Sequence, residues 1–362
     1  MKNHQTLTTT PNQISGRGAQ LNTANRFLKH ALVTEHVEGL DEVLYSNTKT
    51  QVFIENSKTI VNKMTSPDIN MLNTINPYQG CEHGCIYCYA RNTHNYYGFS
   101  AGLDFEQKII AKPHAATLLR KHFENKNYTC QPITLSGNTD CYQPLERKYK
   151  ITRALLEVML AYKNPVGIIT KNSLMLRDID ILTQLAQYNL VHVMVSVTSL
   201  REELRLLMEP RTATAKKRLQ LIEELAKNNI PVGVMTAPII PGLNSDEIPE
   251  LIKAAAHAGA CTAGYTIVRL NGDIKTIFND WLYKTLPHAA YKIWNQIKAC
   301  HNGQVNDSRW GKRMSGDGPM AESIKQLFKM AKNKYMNGRT MPAYDITLFK
   351  RPIYTGQQLE LF

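Results

Sequence analysis

Three cysteines are the residues of this chain whose types and spacing most clearly point to chemistry. They occur in the run Cys81-Glu-His-Gly-Cys85-Ile-Tyr-Cys88. Three thiolates in one loop can bind three irons of an iron–sulfur cube and leave the fourth iron open, whereas an electron-transfer ferredoxin supplies a fourth cysteine at fixed spacing. Here the next cysteine is Cys130, far along the chain. The spacing therefore predicts a cluster that binds a small molecule and reacts with it.

A structural zinc ion is the alternative interpretation of this run, with His83 or His94 as a further ligand. Zinc knuckles prefer paired Cys-x2-Cys groups, or one such group followed by His-x3-His, and the run lacks both. Gly80 and Gly84 fit either centre, because a loop that wraps a metal needs a permissive backbone. The spacing favours the cluster.

Composition sets the class of protein in which this centre must work. The 362 residues, 43% of them hydrophobic, suffice for one large α/β barrel with extensions or for two ordinary domains. No apolar run approaches the roughly 18 residues of a membrane helix, and residues 1–20 lack the apolar core of a secretory signal. The seven cysteines show no disulfide-like pattern, so we expect a reducing cytoplasm.

The net charge of +13 is the second feature of the composition that bears on function. A basic surface attracts polyanions through counterion release, which favours nucleic acid as a partner. A merely solvated basic helix face is the alternative. The basic residues concentrated near the C-terminus are Arg309, Lys312, Arg313, Lys325, Lys329, Lys332, Lys334, Arg339, Lys350 and Arg351.

Strands alternate with helical patterns from Leu72 onward, which predicts parallel pairing through right-handed crossovers. Before them, residues 1 to about 35 have the composition of a loose polar arm, and 52–64 predict a strand pair. The expected strands are Leu72–Pro77, Pro132–Ser136, Val166–Thr170, Val191–Val197, Pro231–Thr236 and Gly264–Leu270. The expected helices are Ile151–Tyr162, Arg177–Tyr188, Ala215–Asn228, Ser245–His257, Pro287–Cys300 and Pro319–Tyr335.

Polar residues follow the ends of successive predicted strands, where barrel enzymes build their sites. Lys171 is suited to pairing with a ligand carboxylate, because such a contact is stronger in a pocket than on a surface. The alternatives are a simple turn at residues 136–138 and solvated cations at Lys171 and Arg211. In chain order the strand-end residues are Ser136, Gly137, Asn138, Asp140, Lys171, Ser196, Thr198 and Arg211, and the apolar segment 235–242 follows the fifth strand.

The run from Asn76 to Arg91 resembles the radical S-adenosylmethionine (SAM) superfamily, in which this cysteine loop follows the first barrel strand and an aromatic, here Tyr87, precedes the third cysteine. The resemblance implies an α/β fold, a partial (β/α)6 TIM-like barrel with an N-terminal arm and a C-terminal helical extension. It implies a [4Fe–4S] cluster on Cys81, Cys85 and Cys88. It also implies reductive cleavage of SAM to methionine and a 5′-deoxyadenosyl radical.

The same resemblance implies where the cofactor binds. The segment after the second strand meets the SAM amino group in that superfamily, a role that falls to Gly137 and Asn138 here. Lys171, which we also expect to be catalytic, and Arg211 would contact the carboxylate or ribose, and 235–242 would pack on adenine. The full set of expected SAM contacts is Tyr87, Ser136, Gly137, Asn138, Asp140, Lys171, Ser196 and Arg211.

Three further phrases, 98–106, 138–146 and 170–172, look like bacterial proteins related to spore photoproduct lyase, often labelled DNA repair photolyases. This implies action on DNA, on a base reached by extrusion from the stack. The lyase uses a cysteine just after the second strand to return a hydrogen atom, and that cysteine aligns nearer Gly137 than Cys141. Cys141 is therefore a candidate hydrogen donor, with a buried structural thiol as the alternative.

The last five residues, Gln358-Leu359-Glu360-Leu361-Phe362, resemble the Gln-Leu-x-Leu-Phe peptide with which bacterial polymerases and repair proteins bind the sliding clamp. A terminal segment that presents Leu and Phe anchors after a polar lead residue suits such docking. The alternative is a tail that packs on its own domain. We expect Gln358, Leu359, Leu361 and Phe362 to carry the contact.

These observations divide the chain at residues 70, 272 and 352 into an arm with short strands, the barrel, a basic helical extension and the tail. We expect a radical SAM enzyme that acts on DNA, in repair or base modification. One alternative keeps the radical chemistry but directs it to RNA or a protein side chain. Another is a non-catalytic, clamp-associated DNA-binding factor with a structural or redox-sensing cluster.

Overall fold

A computed structural model describes residues 14, 16–25, 27, 49–68 and 72–352. The strands are β1 (Gln51–Ile54), β2 (Val61–Lys63), β3 (Asn73–Ile75), β4 (Tyr78–Gln79), β5 (Lys108–Ala111), β6 (Ile133–Leu135), β7 (Val166–Thr170), β8 (Val191–Ser196), β9 (Val232–Ile239) and β10 (Thr262–Ile267). The α-helices are α1 (Asp104–Gln107), α2 (Ala115–Glu124), α3 (Glu146–Tyr149), α4 (Ile151–Tyr162), α5 (Ile179–Ala186), α6 (Glu202–Met208), α7 (Ala215–Lys227), α8 (Ile248–His257), α9 (Ile274–Thr285), α10 (Pro287–Ala299) and α11 (Pro319–Met336). Three 3-10 helices cover Tyr89–Tyr97, Ser173–Asp178 and Ser245–Glu247. None of the helices in these ranges is long and apolar enough to span a lipid bilayer.

The main sheet has seven strands in the order β10-β9-β8-β7-β6-β3-β2. Six of them, β3 and β6 to β10, pair in parallel in this order, and β2 adds an antiparallel edge. Helices cross over between the parallel strands, as right-handed βαβ connections require. The expected α/β fold with a partial six-strand barrel is confirmed.

The predicted barrel strands and helices are present, with ends that shift by a few residues. Helix α4 has the predicted bounds, because its apolar stripe, Leu155, Leu156 and Met159, is buried in the core. The predicted strand pair within 52–64 is wrong in its pairing. Strand β1 pairs in parallel with β5 in a separate three-stranded sheet, whereas β2 pairs antiparallel with β3 at the edge of the main sheet.

Helix α11 covers β10, an edge strand of the barrel sheet. The ring of Phe328 lies 4.5 Å from that of Tyr265, and Lys332 Nζ donates to the Ala263 carbonyl at 3.2 Å. A covered edge cannot pair with another chain. The C-terminal extension thus completes the barrel wall.

Residues 339–352, here called the lower strap, run across the N-terminal ends of the strands. Arg339 Nη1 donates to the Ala260 carbonyl at 3.0 Å, just before β10. The Tyr344 hydroxyl donates to the Val166 carbonyl at the start of β7, at 3.3 Å, and its ring stacks on His192 at 3.7 Å. The lower strap therefore closes the end of the barrel opposite the C-terminal ends of the strands.

Candidate functional site

The cysteine loop follows β3 and β4 at the C-terminal end of the barrel. Cys81 and Cys85 are buried, Cys88 is partly buried, and all three are free thiols. Gly80 and Gly84 adopt φ angles of 78° and 69°, a left-handed conformation that glycine reaches without strain. These two positions let the chain turn sharply just before Cys81 and just before Cys85.

A fully buried ion pair holds the shape of this loop. Arg91 donates from Nε and Nη2 to the Cys85 carbonyl at 3.0 and 2.9 Å. Its Nη2 also bonds Glu106 Oε1 at 2.6 Å, and neither side chain is exposed. A charge-assisted network of this kind fixes its members firmly, since each charge is paired and hydrogen-bonded. The backbone around Cys85 is therefore set in advance of any ligand.

Residues 16–25, here called the upper strap, lie against the cysteine loop. The predicted loose arm over residues 1 to about 35 is therefore wrong for this part of the chain. The backbone amides of Gly18 and Ala19 donate to Glu106 Oε2 and Oε1 at 3.1 and 2.7 Å. A Cβ on Gly18 would overlap the Gly84 carbonyl oxygen, so only glycine permits this approach. Polar composition suggested a free arm, but these amides find a buried acceptor.

The electrostatics of the three thiols fit a cationic centre. Burial raises the pKa of Cys81, Cys85 and Cys88, and the nearby Lys171 opposes this at Cys85 and Cys88. Thiols so buried become thiolates when a metal supplies compensating positive charge. The donor set therefore fits a metal cluster better than it fits free, reactive cysteines.

The two histidines of the zinc interpretation lie in different surroundings. His83 is buried with Nδ1 3.5 Å from Asp140 Oδ2 and Nε2 3.3 Å from Asn172 Nδ2. Both of its ring nitrogens therefore already have polar neighbours. His94 packs against the ring of Phe99, with centroids 5.2 Å apart.

A buried carboxylate, Glu209, lies beside the loop and was not assigned a role from the sequence. The hydroxyls of Tyr87 and Thr198 donate to it, and Arg218 Nη2 bonds Oε2 at 2.5 Å. Lys171 Nζ lies 3.8 Å from its Oε1. Burial alone would raise the pKa of Glu209, but Arg218 and Lys171 lower it well below its usual value. Glu209 is therefore ionised and holds Lys171 next to the cysteine loop.

Asp140 joins the ends of β6 and β7 at the C-terminal end of the barrel, here called the mouth. Its Oδ1 accepts from the Thr170 hydroxyl at 2.8 Å and its Oδ2 from the Lys171 amide at 2.7 Å. Gly137 accepts a hydrogen bond from the Tyr89 hydroxyl through its carbonyl oxygen. The predicted residues after the second and third strands thus meet beside the cysteine loop, as strand ends of a parallel sheet should.

The remaining predicted residues differ in how near the mouth they lie. The backbone amide of Arg211 donates to the His83 carbonyl at 3.2 Å, so Arg211 borders the loop. Asn138 donates from its amide to Asn76 Oδ1 at 2.8 Å, next to β3. Ser196 is buried at the end of β8, with its carbonyl bound to Arg218. Cys141 is fully buried in the main core, where burial raises the pKa of its thiol.

Comparison with protein families and curated proteins supports the interpretation of the loop. The model of the radical SAM superfamily matches residues 75–255. An uncharacterised protein of Mycobacterium bovis is 32% identical over 216 residues, which cover 59% of this chain and 64% of that protein. One of Methanocaldococcus jannaschii is 27% identical over 198 residues, 54% of this chain and 71% of its own length. The chain thus spans less than two thirds of the mycobacterial relative.

Comparison with solved structures matches the fold over most of the chain. Spore photoproduct lyase complexed with dinucleoside spore photoproduct gives a TM-score of 0.61 at 16% identity, covering 84% of this chain and 86% of that one. A doubly substituted variant of that lyase, with bound AdoMet and the same dinucleoside, gives 0.57 at 15% identity and covers 79% of each chain. At these identities the likeness establishes a shared fold.

Proposed function

This chain belongs to the radical SAM superfamily, whose members use a [4Fe–4S] cluster and SAM, and from that membership we propose that it cleaves SAM reductively with a cluster on Cys81, Cys85 and Cys88. The observation that carries the proposal is the group of three free cysteines in one glycine-flanked loop at the C-terminal end of the barrel. When bound, the cluster supplies the electron that breaks a carbon–sulfur bond of SAM, giving methionine and a 5′-deoxyadenosyl radical.

The chain's own residues bind and orient SAM in this proposal. Lys171 attracts the SAM carboxylate, and Glu209, whose Oε1 lies 3.8 Å from Lys171 Nζ, holds that side chain beside the cysteine loop. Gly137 and Asn138 offer small backbone for the SAM amino group. Tyr87 fixes Glu209 through its hydroxyl and excludes water from the base of the site. The other proposed contacts are Ser136, Asp140, Ser196 and Arg211.

We propose DNA as the substrate, and the fold likeness to a lyase complexed with a dinucleoside lesion is the main support. The positive net charge supports a DNA substrate less strongly than the sequence alone suggested. Arg309 pairs with Asp307, Lys312 with Asp317, and Arg313 with Asp68, which neutralises much of the basic cluster around residue 310. RNA and a protein side chain are the rival substrates.

Anaerobic reconstitution tests the cluster and SAM cleavage together. We expect the wild type to hold about four irons per chain and to form 5′-deoxyadenosine with SAM and dithionite. Cys85→Ala should lose both properties, whereas Cys130→Ala, a change of the same kind outside the loop, should keep them. The proposal is contradicted if the protein binds a single zinc ion, or if the spectrum of its iron does not change when SAM is added. Parallel incubations with DNA, RNA and peptides show which polymer gains a mass shift or alters SAM cleavage.

The hydrogen-donor role of Cys141 stays a prediction. Its thiol is wholly buried, so donation would require the product radical to reach a core position or a relay through neighbouring groups. Cys141→Ala tests the role directly. Unchanged product distribution and turnover in that variant would leave Cys141 as a packing residue.

We also propose that the C-terminal pentapeptide binds the sliding clamp, although Gln358, Leu359, Leu361 and Phe362 lie outside the described residues. The support is the match of residue types to a peptide that presents two apolar anchors. Deleting residues 357–362 should abolish retention on immobilised clamp, and replacing Glu360 by Ala should leave it intact, because that position is variable in the motif. Equal retention of the deleted and full-length chains contradicts the proposal.

A further inference from the structure

The side of the barrel between the two edge strands, β10 and β2, is bridged by residues 305–318, here called the bridging loop. On the β10 side, the Met314 carbonyl accepts from the Ile267 amide at 2.9 Å. On the β2 side, Arg313 Nε lies 2.5 Å from Asp68 Oδ2, and the Gly311 amide donates to Asp68 Oδ1 at 2.6 Å. The bridging loop is therefore fixed at both edges of the opening.

Arg269, two residues after β10, lies beside this loop, because the next residue, Leu270, donates its amide to the Val305 carbonyl at 2.9 Å. It is partly buried and makes no hydrogen bond or ion pair with any residue that the structure describes. Burial lowers its pKa and the neighbouring Arg313 lowers it further, while Tyr89 and Asp68 act in the opposite direction. The Asp68 carboxylate is already bonded to Arg313 and Gly311, so an anion that bonds Arg269 directly would supply the contact that its guanidinium lacks among the described residues.

Trp310, in the bridging loop, presents an aromatic surface on the same side of the barrel as Arg269. The bridging loop and Arg269 together are here called the rim. Its side chain is 58% exposed, and the guanidinium carbon of Arg313 lies 4.0 Å from its ring centroid. Because Asp68 fixes Arg313, the indole is supported on one side by an ordered cation. An exposed, supported aromatic ring is the kind of group on which a nucleic-acid base stacks.

We propose that Arg269 and Trp310 form a nucleic-acid subsite at the side opening of the barrel, in which Arg269 binds a backbone phosphate and Trp310 stacks on an adjacent base. The Ile267 and Leu270 amides, on either side of Arg269, donate to carbonyls of the bridging loop at 2.9 Å. Trp310 belongs to that loop, so both groups belong to one rim. The subsite rests on the proposed function and names the residues that receive its polymer. The shared chemistry is a phosphodiester strand with an unstacked base, as found in DNA or RNA.

Fluorescence anisotropy with labelled single strands of about twelve nucleotides, within the usual range of site sizes, tests the subsite over a series of salt concentrations. We expect Arg269→Gln to raise the Kd about tenfold and to lower the salt slope by about one phosphate contact. Trp310→Leu should raise the Kd roughly tenfold with an unchanged slope, because it removes stacking and no charge. Arg269→Lys keeps the positive charge, so its salt slope should equal that of the wild type. An equal slope shows that the site remains folded.

Two exposed positions on the neighbouring helix α10 provide matched controls. Lys292→Gln removes one charge, and Tyr291→Leu removes a 73% exposed aromatic. Both should stay within about twofold of the wild type, since neither lies on the rim. The subsite is overturned if Arg269→Gln and Trp310→Leu behave like these controls while the wild type binds the strand.

The proposed DNA substrate fails in a different way. It fails if the wild type binds neither polymer and neither changes the rate of 5′-deoxyadenosine formation, whatever the variants do. Tighter binding of RNA than of DNA, with the same losses in both rim variants, supports the subsite and makes RNA the substrate.

Discussion

The two straps close opposite ends of the same barrel, and both lie outside the segment 75–255 that matches the superfamily. The upper strap binds through a buried carboxylate, Glu106, which also holds the cysteine loop through Arg91. The lower strap binds through backbone carbonyls that accept from the Arg339 and Arg351 guanidiniums, and through rings that pack on the barrel, Tyr344 on His192 and Phe349 on Phe123. The chain thus uses a buried ion pair shared by the strap and the cysteine loop at one end, here called the reactive end, and separate hydrogen bonds and ring contacts at the other end. Changes at the upper strap should therefore reach the cluster, whereas changes at the lower strap should affect stability alone.

The largest effect should come from Glu106→Ala. This change leaves Arg91 as an unpaired buried charge and removes the acceptor of the Gly18 and Ala19 amides. Breaking a fully buried pair costs about 3–5 kcal/mol, so we expect a lower urea midpoint and loss of iron after desalting. Gly18→Ala should repeat the loss of iron with a smaller change in midpoint, because only the close approach to Gly84 is disturbed.

The matched control for Glu106→Ala is Asp345→Ala in the lower strap, where the carboxylate accepts a solvent-exposed hydrogen bond from the Thr347 hydroxyl at 2.6 Å. It should leave iron content unchanged. If Glu106→Ala keeps wild-type iron while its urea midpoint falls, the upper strap is only structural and the contrast between the two ends is wrong.

The features that could be predicted from the sequence are those determined by residues close together in the chain. Apolar periodicity gave the six barrel strands and α4, and the spacing of the cysteine loop identified the candidate centre, because both signals are local. The role of Glu106 was not predictable, since its partners include the backbone amide of Gly18, 88 residues away. Glu209 was missed for the same reason: its partner Tyr87 is 122 residues distant. Gly18 was the available signal in the upper strap, because a close approach of two backbones, here to the Gly84 carbonyl, requires a residue without a Cβ.

Acid should weaken the reactive end through His94. Burial lowers the pKa of His94 to about 4, although Asp104 opposes the shift. Its ordinary value is about 6.5, so the unfolded chain takes up the proton first. The contribution of a neutral His94 is therefore complete above about pH 6.5 and is lost as the pH falls toward 4, a total on the order of 3 kcal/mol.

Urea unfolding between pH 7 and pH 4 measures this loss. His94→Phe keeps an aromatic ring against Phe99 and should flatten the dependence, while the same change at the exposed His114 should not. Other buried histidines, His83 and His301 among them, also have lowered pKa values, so some dependence should remain. An identical pH profile in His94→Phe and the wild type would mean that His94 is not the group concerned.

The smallest effect should come from Tyr344→Phe in the lower strap. This change removes the hydroxyl that bonds the Val166 carbonyl and keeps the ring on His192, so we expect a loss of about 1 kcal/mol, typical of one neutral hydrogen bond. Tyr344→Ala should cost more, because the stacking is lost as well. In both variants iron content and 5′-deoxyadenosine formation should match the wild type, since the strap lies at the end of the barrel away from the cysteine loop. A fall in either property that exceeds the fall in folded protein would show that the lower strap is coupled to the reactive end, and the division of the two ends would not hold.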